Sequence, residues 1–140
     1  MSKACLFRAK LVKTTLSGVN LSDAGAPDAI FNDAILSGAN LSGADLHGTK
    51  LKNINGSNTN FAGANLFVAD FHKADLSNAI FSGANLAGAD LSWANCLGAI
   101  FVGANILGII LKKTKFSAAD LLIANIGDEN NCPNIPLINL

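Results

Sequence analysis

The chain has 140 residues, half of them hydrophobic and only 14% charged, with no tyrosine and ten basic against ten acidic side chains, which is room for one domain and one core. Charge stands well below the roughly 25% usual for a soluble domain, so burial must use small apolar side chains in an uncommon way, and a zero net charge excludes a whole-molecule field that steers the chain to nucleic acid. Three cysteines, Cys5, Cys96 and Cys132, show neither metal spacing nor a paired framework, and the segment MSKACLFRAK has no signal-peptide core; both points lead to a reducing, cytoplasmic location as the expectation.

In chain order, residues 1–3 form a short lead, and from residue 4 a strict pattern begins. Stepping by five from Leu6 to Ile126 gives 25 centres without an insertion: fourteen Leu, six Phe, two Ile, and the exceptions Ala26, Gly56 and Cys96. The position two before each centre is Ala in 18 units, and the position between is mostly Asn or Asp. Successive centres on an α-helix would rotate by about 140°, so they cannot share one face, and a strand alternates with period two. A chain that turns a corner every five residues can instead point both the small and the large residue at a central axis.

Two defects interrupt the pattern. Ala24 and Ala26 leave the core short of volume and Pro27 removes a donor beside them, which predicts a bulge or loosened corner at residues 24–28. Gly56 lacks a large side chain, but Ile54 occupies the small position of the same unit, so volume is moved and the core there should stay filled. Residues 96–111, CLGAIFVGANILGIIL, are apolar but only 16 long with Asn105 inside, short of the roughly 20 a membrane-spanning helix needs. The tail at 129–140 breaks the repeat with Pro133 and Pro136 yet keeps Ile135, Leu137, Ile138 and Leu140; it reads as a lid over the last coil, with a free binding tail as the alternative.

The unit A(N/D)(L/F)XX resembles the pentapeptide-repeat family over residues 4–128. That resemblance implies an all-β fold, a right-handed quadrilateral parallel β-helix (solenoid) of about six coils of four pentads; handedness and coil size come from the resemblance. At about 4.8 Å per coil the rod would be roughly 29 Å long. Residues 20 apart then stack, so Phe61, Phe81 and Phe101 form a core column. Ser17, Ser37, Ser57, Ser77 and Ser117 line one face and Asn65, Asn85, Asn105 and Asn125 another, as coil-to-coil ladders.

Little here suits catalysis. His47 and His72 lie on different faces without a ligand partner at metal spacing, GANLAGAD at 83–90 has no following helix to receive a phosphate, and no cofactor or metal is required. Charges are more informative. The face centred on Leu11, Phe31, Leu51, Phe71, Leu91 and Leu111 carries Lys10, Lys13, Lys50, Lys52, Lys73, Lys112 and Lys113, with His72 and Trp93, against Asp33, Asp70 and Asp90. It is the candidate binding face for an acidic protein surface or a nucleic acid. Ile80, Ile100, Val102, Leu122 and Ile123 form a candidate apolar docking patch, which with the exposed first coil offers a route to a homodimer.

Three functions follow. The leading one is a non-enzymatic protein–protein interaction module whose partner, of unknown identity, is acidic. The best-described family members protect DNA gyrase or topoisomerase with an acidic rod that resembles duplex DNA, so the resemblance implies that alternative; this neutral chain with its basic face departs from it. A weak nucleic-acid binder acting through Trp93 is the third, disfavoured by Arg8 being the single arginine.

Overall fold

A computed structural model describes residues 3–117 of the chain. Each residue just before a centre bridges the residue 20 positions later in parallel, from Cys5 with Gly25 to Asn95 with Lys115. The chain is therefore a parallel β-helix with four pentads per coil. We name its faces by their centres: face A begins at Leu6, face B at Leu11, face C at Leu16 and face D at Leu21, each continuing at intervals of 20.

The unit sequence is explained by where its backbone groups go. Around Phe61, the amide of Phe61 donates to Ile80 of the next coil (2.7 Å), Asn60 to Ala39 of the previous coil (2.9 Å), Gly63 to Ser82 (2.9 Å), and Ala64 closes a turn onto Phe61 (3.0 Å). One N–H of the five is left, that of Ala62, and the side-chain oxygen of Asn60 accepts it at 3.0 Å. The same Asn or Asp contact recurs at Ser42, His72, Ser77, Ser92 and Leu107. Asn and Asp are thus favoured before the centre because they satisfy the one donor that the coil ladder leaves over. Where Lys50 stands in that place, the amide of Lys52 goes instead to Asn32 Oδ1 of the previous coil at 3.1 Å.

Every described corner has a positive φ at the second residue after the centre, at twelve non-glycine and ten glycine positions, as the third residue of a type II turn requires. Inward, Ala, Leu and Phe side chains form one continuous column, with Phe31, Phe61, Phe71, Phe81 and Phe101 fully buried. Thr49, Thr59 and Thr114 take the small position in three units and bury their hydroxyls on the carbonyls of Leu46, Leu36 and Leu91 at 2.7–2.8 Å. In the first coil Leu6, Leu11, Leu16 and Val19 are only partly buried.

The expected bulge at 24–28 is absent. Ala24 and Ala26 are fully buried, Gly25 bridges both neighbouring coils, and Asp28 has the regular corner φ of 56°. Pro27 sits at the turn position whose N–H takes no part in the ladder, and its carbonyl still accepts from Arg8 at 3.0 Å. Its fixed φ suits that position, so the missing donor costs nothing.

At Gly56 the core is filled as the sequence suggests. Ile54 is buried, and a Cβ on Gly56 would meet Ile54 Cδ1 and Leu76 Cδ2 at 3.1 Å. Restoring the repeat's usual residue should therefore harm the protein: Gly56→Leu overpacks and costs about 1–3 kcal/mol, Ile54→Ala leaves a void and costs about 2–4 kcal/mol, and the double variant recovers much of both. A double-mutant cycle by urea denaturation measures the coupling; additive losses would contradict this packing.

The lid reading of 129–140, the boundary at 128, Asn125 and Cys132 lie outside the described residues.

Candidate docking face

Face B is built from three kinds of outward position. The residue before each centre lies mid-face, and the two after it make the corner with face C. Lys10 and Lys50 are mid-face; Lys52, His72 and Lys112 hold the first corner position; Lys13, Lys73, Trp93 and Lys113 hold the second, with positive φ. The sequence-predicted residues therefore gather mainly on one edge, the BC corner.

That corner differs from the other three. Its positive-φ residues are Lys13, Asp33, Asn53, Lys73, Trp93 and Lys113, with no glycine among the described residues, whereas each other corner uses glycine in at least three coils. A residue with a Cβ is held less easily in this conformation than glycine. Asp33 and Asn53 tolerate it and bind each other across coils at 3.1 Å. The lysines and Trp93 occupy a strained backbone position with long side chains.

Within the row, Lys113 Nζ lies 4.5 Å from the Trp93 ring centroid, and Lys52 pairs with Asp70 at 3.1 Å. Trp93 remains 48% exposed, a flat aromatic surface with a cation against one side. Asp70 Oδ1 also accepts the His72 amide at 3.1 Å, and Asp90 accepts that of Ser92 at 2.8 Å. The two mid-face carboxylates are thus engaged with the face's own backbone, and Asp70 also holds the corner lysine Lys52.

The opposite edge of face B, its corner with face A, escaped the sequence reading. Phe7, Pro27, His47, Phe67, Ala87 and Leu107 follow one another there, one per coil. Phe7 is 55% and Phe67 47% exposed, with Val68 beside Phe67 also exposed and at a φ of 50°, a genuine outlier for a β-branched residue. The signal was available: six of the eight Phe are repeat centres, while Phe7 and Phe67 each fall one residue after a centre and exactly three coils apart in register. Arg8 covers part of the Phe7 ring at 4.8 Å. On face A behind this edge, Asp45 meets the His47 ring at 2.9 Å. Burial pushes the Asp45 carboxyl up, but hydrogen bonds from the His47 ring and amide, the His47 charge and the Asn65 amide together hold it below the usual value.

Of the eleven exposed large hydrophobic residues among the described residues, seven lie on face B or its two edges: Phe7, Val12, Phe67, Val68, Trp93, Leu107 and Ile110. In the other apolar patch, Ile100 and Val102 are exposed and Ile80 is half-buried, while Leu122 and Ile123 lie outside the described residues. The expected Phe column is stacked, with Phe61–Phe81 and Phe81–Phe101 centroids both 5.1 Å apart. Ser17 and Ser37 hydroxyls meet at 3.2 Å, and the amide ladder runs Asp45, Asn65, Asn85, Asn105 at 3.0–3.3 Å.

Pentapeptide repeats match residues 4–43, 39–78, 69–108 and 79–117, eight copies in all. The chain belongs to the pentapeptide repeat family. It is similar to a pentapeptide repeat protein of the Arabidopsis thaliana thylakoid lumen, with 30% identity over 64% of this chain and 63% of that one and a TM-score of 0.63. It is also similar to HetL of the cyanobacterium Nostoc, a pentapeptide repeat protein involved in heterocyst differentiation regulation, with 31% identity over 82% of this chain and 60% of that one and a TM-score of 0.53. The matched region spans about three fifths of the length of both. The fold is accordingly the right-handed quadrilateral β-helix. No curated protein matches the sequence. Among the described residues no helix is long and apolar enough to cross a membrane.

Proposed function

We propose that this protein is a non-enzymatic interaction module whose face B holds an acidic surface of a partner protein. The observation that carries this reading is the glycine-free BC corner, where Lys13, Lys73, Trp93 and Lys113 stand at positive φ in positions that the other corners give repeatedly to glycine. A corner without glycine, where the other three use glycine in at least three coils each, favours recognition over folding as the cause of its strain. A solvated aromatic ring with a cation stacked on it suits carboxylates and polar rims. The non-enzymatic part rests on the polar side chains: Asn and Asp are committed to backbone amides throughout the coils, which leaves them as scaffold. Among the described residues, Cys5 and Cys96 form no disulfide, in keeping with a reducing compartment such as the cytoplasm.

A rod acting as a DNA mimic needs a continuous negative stripe to compete for a phosphate-binding surface. Face B with its edges carries eight cationic side chains against four carboxylates, the opposite sign. Direct nucleic-acid binding would use this face, but through lysines alone apart from Arg8, without the fork that reads phosphate bidentately.

The test is an affinity capture from the source organism's soluble lysate with the native chain and a Lys50→Gln, Lys73→Glu, Trp93→Ala, Lys113→Glu variant, glutamine standing at 50 because that residue is stacked on Asp70. Lys52 is left intact, because its reversal would set two carboxylates against each other at Asp70. A partner retained by the native rod and reduced at least tenfold with the variant is the expected result. Equal capture by both would remove face B from consideration, and capture of duplex DNA with a steep salt dependence would favour the nucleic-acid alternative.

A further inference from the structure

We infer that the partner element on face B is an amphipathic α-helix with an acidic flank, laid along the rod axis. The inference rests on the reading of face B as a protein-docking face and deepens it.

Three features lead there. The face cannot recruit a β-strand, because its backbone amides and carbonyls are already consumed by neighbouring coils: Leu51 donates to Asp70, Asp70 to Thr49, Phe71 to Asp90 and Asp90 to Ala69, all at 2.7–2.9 Å. Recognition must come from side chains. These differ in chemistry across the face: the AB edge carries exposed Phe7, Phe67 and Leu107, with Arg8, Asp28 and His47 in the first three coils, and the BC edge carries Lys73, Trp93 and Lys113 in the last three. A single element touching both edges must be apolar on one flank and acidic on the other.

Dimensions select the helix. About three extended residues separate the two corners, so the edges stand roughly 10 Å apart, and a helix with its side chains is about 10–12 Å across. Side chains on one helix flank recur about every 5.4 Å, and rows on the rod recur about every 4.8 Å. Successive turns therefore meet successive coils with a slip of roughly 0.6 Å per turn, small enough for long lysine side chains to absorb over four turns. From Phe7 to Leu107 the ridge crosses five coil steps, roughly 24 Å, which a helix of about 16 residues covers. Exposed Phe67 and Val68, adjacent on the ridge and with Val68 strained, mark the central anchor for a leucine-sized side chain. Ile110, mid-face between Leu107 and Lys113 and 49% exposed, extends the apolar contact at one end.

The test uses the full chain and a labelled 18-residue helical peptide with leucine on one stripe and glutamate on the adjoining stripe, titrated by fluorescence anisotropy. A peptide of equal composition with both stripes scrambled, and vesicles containing phosphatidylserine, serve as the other probes. The expected result is binding at least tenfold tighter for the striped peptide, with about tenfold losses for Phe67→Ser and for Lys73→Glu with Lys113→Glu; both changes are at exposed positions, and circular dichroism checks the fold. Equal binding of the two peptides, or no effect of Phe67→Ser, overturns the helix; if the lysine variant still weakens both peptides, the acidic-partner reading survives that failure. Vesicle sedimentation that Phe67→Ser abolishes, with no preference between peptides, overturns it in favour of a lipid surface. Indifference of both peptides to the lysine changes sinks the inference and the docking-face reading together.

Discussion

Replacing Phe81 with alanine is expected to destabilise the rod by about 3–5 kcal/mol, toward the upper end of that range. Phe81 is fully buried and lies between two near-parallel rings, at interplanar angles of 4° to Phe61 and 7° to Phe101. Phe71 meets it edge-on at 6.1 Å. The cost of such a truncation depends on how far the walls can close over the void. Here they are held apart by the coil ladder: Phe61 donates to Ile80 and Phe81 to Ile100, each at 2.7 Å. Closing the gap would break those bonds, so the cavity stays. Phe81→Leu should cost far less, since Leu41 and Leu21 fill the same column two and three coils earlier. Urea denaturation of both variants measures the difference. A loss under about 2 kcal/mol for alanine would mean that the column relaxes, and that the ladder does not set the core's dimensions.

Much of the fold was legible because the repeat has no insertion from Leu6 to Ile126 and both inward positions are chemically distinct. Ile54 with Gly56 could be read from volume alone. The error at Pro27 arose from counting a lost donor without knowing which of the five amides the ladder uses; once the Asn60-to-Ala62 contact is seen, Pro27 falls on the one amide that the ladder spares. The role of Asn and Asp was half legible: stacked amides were expected, but their carbonyl oxygens also cap the turn, which depends on backbone geometry that spacing does not carry. For the candidate site, arithmetic by twenties gathers the lysines on face B. Position in the pentad separates Lys50, just before a centre, from Lys73, two after one, but that the second place is a corner at positive φ is read only from the backbone. Phe7 and Phe67 were passed over for a related reason, since attention to repeat centres hides aromatic residues one step out of register.

The same amide count makes proline a ruler for the coil. Ser82→Pro should leave stability within about 0.5 kcal/mol or raise it by up to about 1 kcal/mol, as a proline does where the native φ suits it. Ser82 holds the position that Pro27 holds eleven pentads earlier on the adjoining face, and the residue two before it is Ile80, whose side chain has no oxygen to cap the amide. Its carbonyl, which accepts from Gly63 at 2.9 Å, is retained in proline. Two residues upstream the same substitution should be ruinous. The Ile80 amide donates to Thr59 at 2.9 Å and its carbonyl accepts from Phe61 at 2.7 Å, so Ile80→Pro removes one coil-to-coil bond and displaces the other, at about 3 kcal/mol or more. Gly83→Pro fails for a separate reason, since proline cannot reach a φ of 66°. Thermal melts of the three variants give the expected order, with Ser82→Pro alone near the native chain. Tolerance of Ile80→Pro would show that the mid-face amides do not hold adjacent coils together, and a severe loss at Ser82→Pro would show that Pro27 is accommodated by something particular to its own corner instead of by the geometry common to all four.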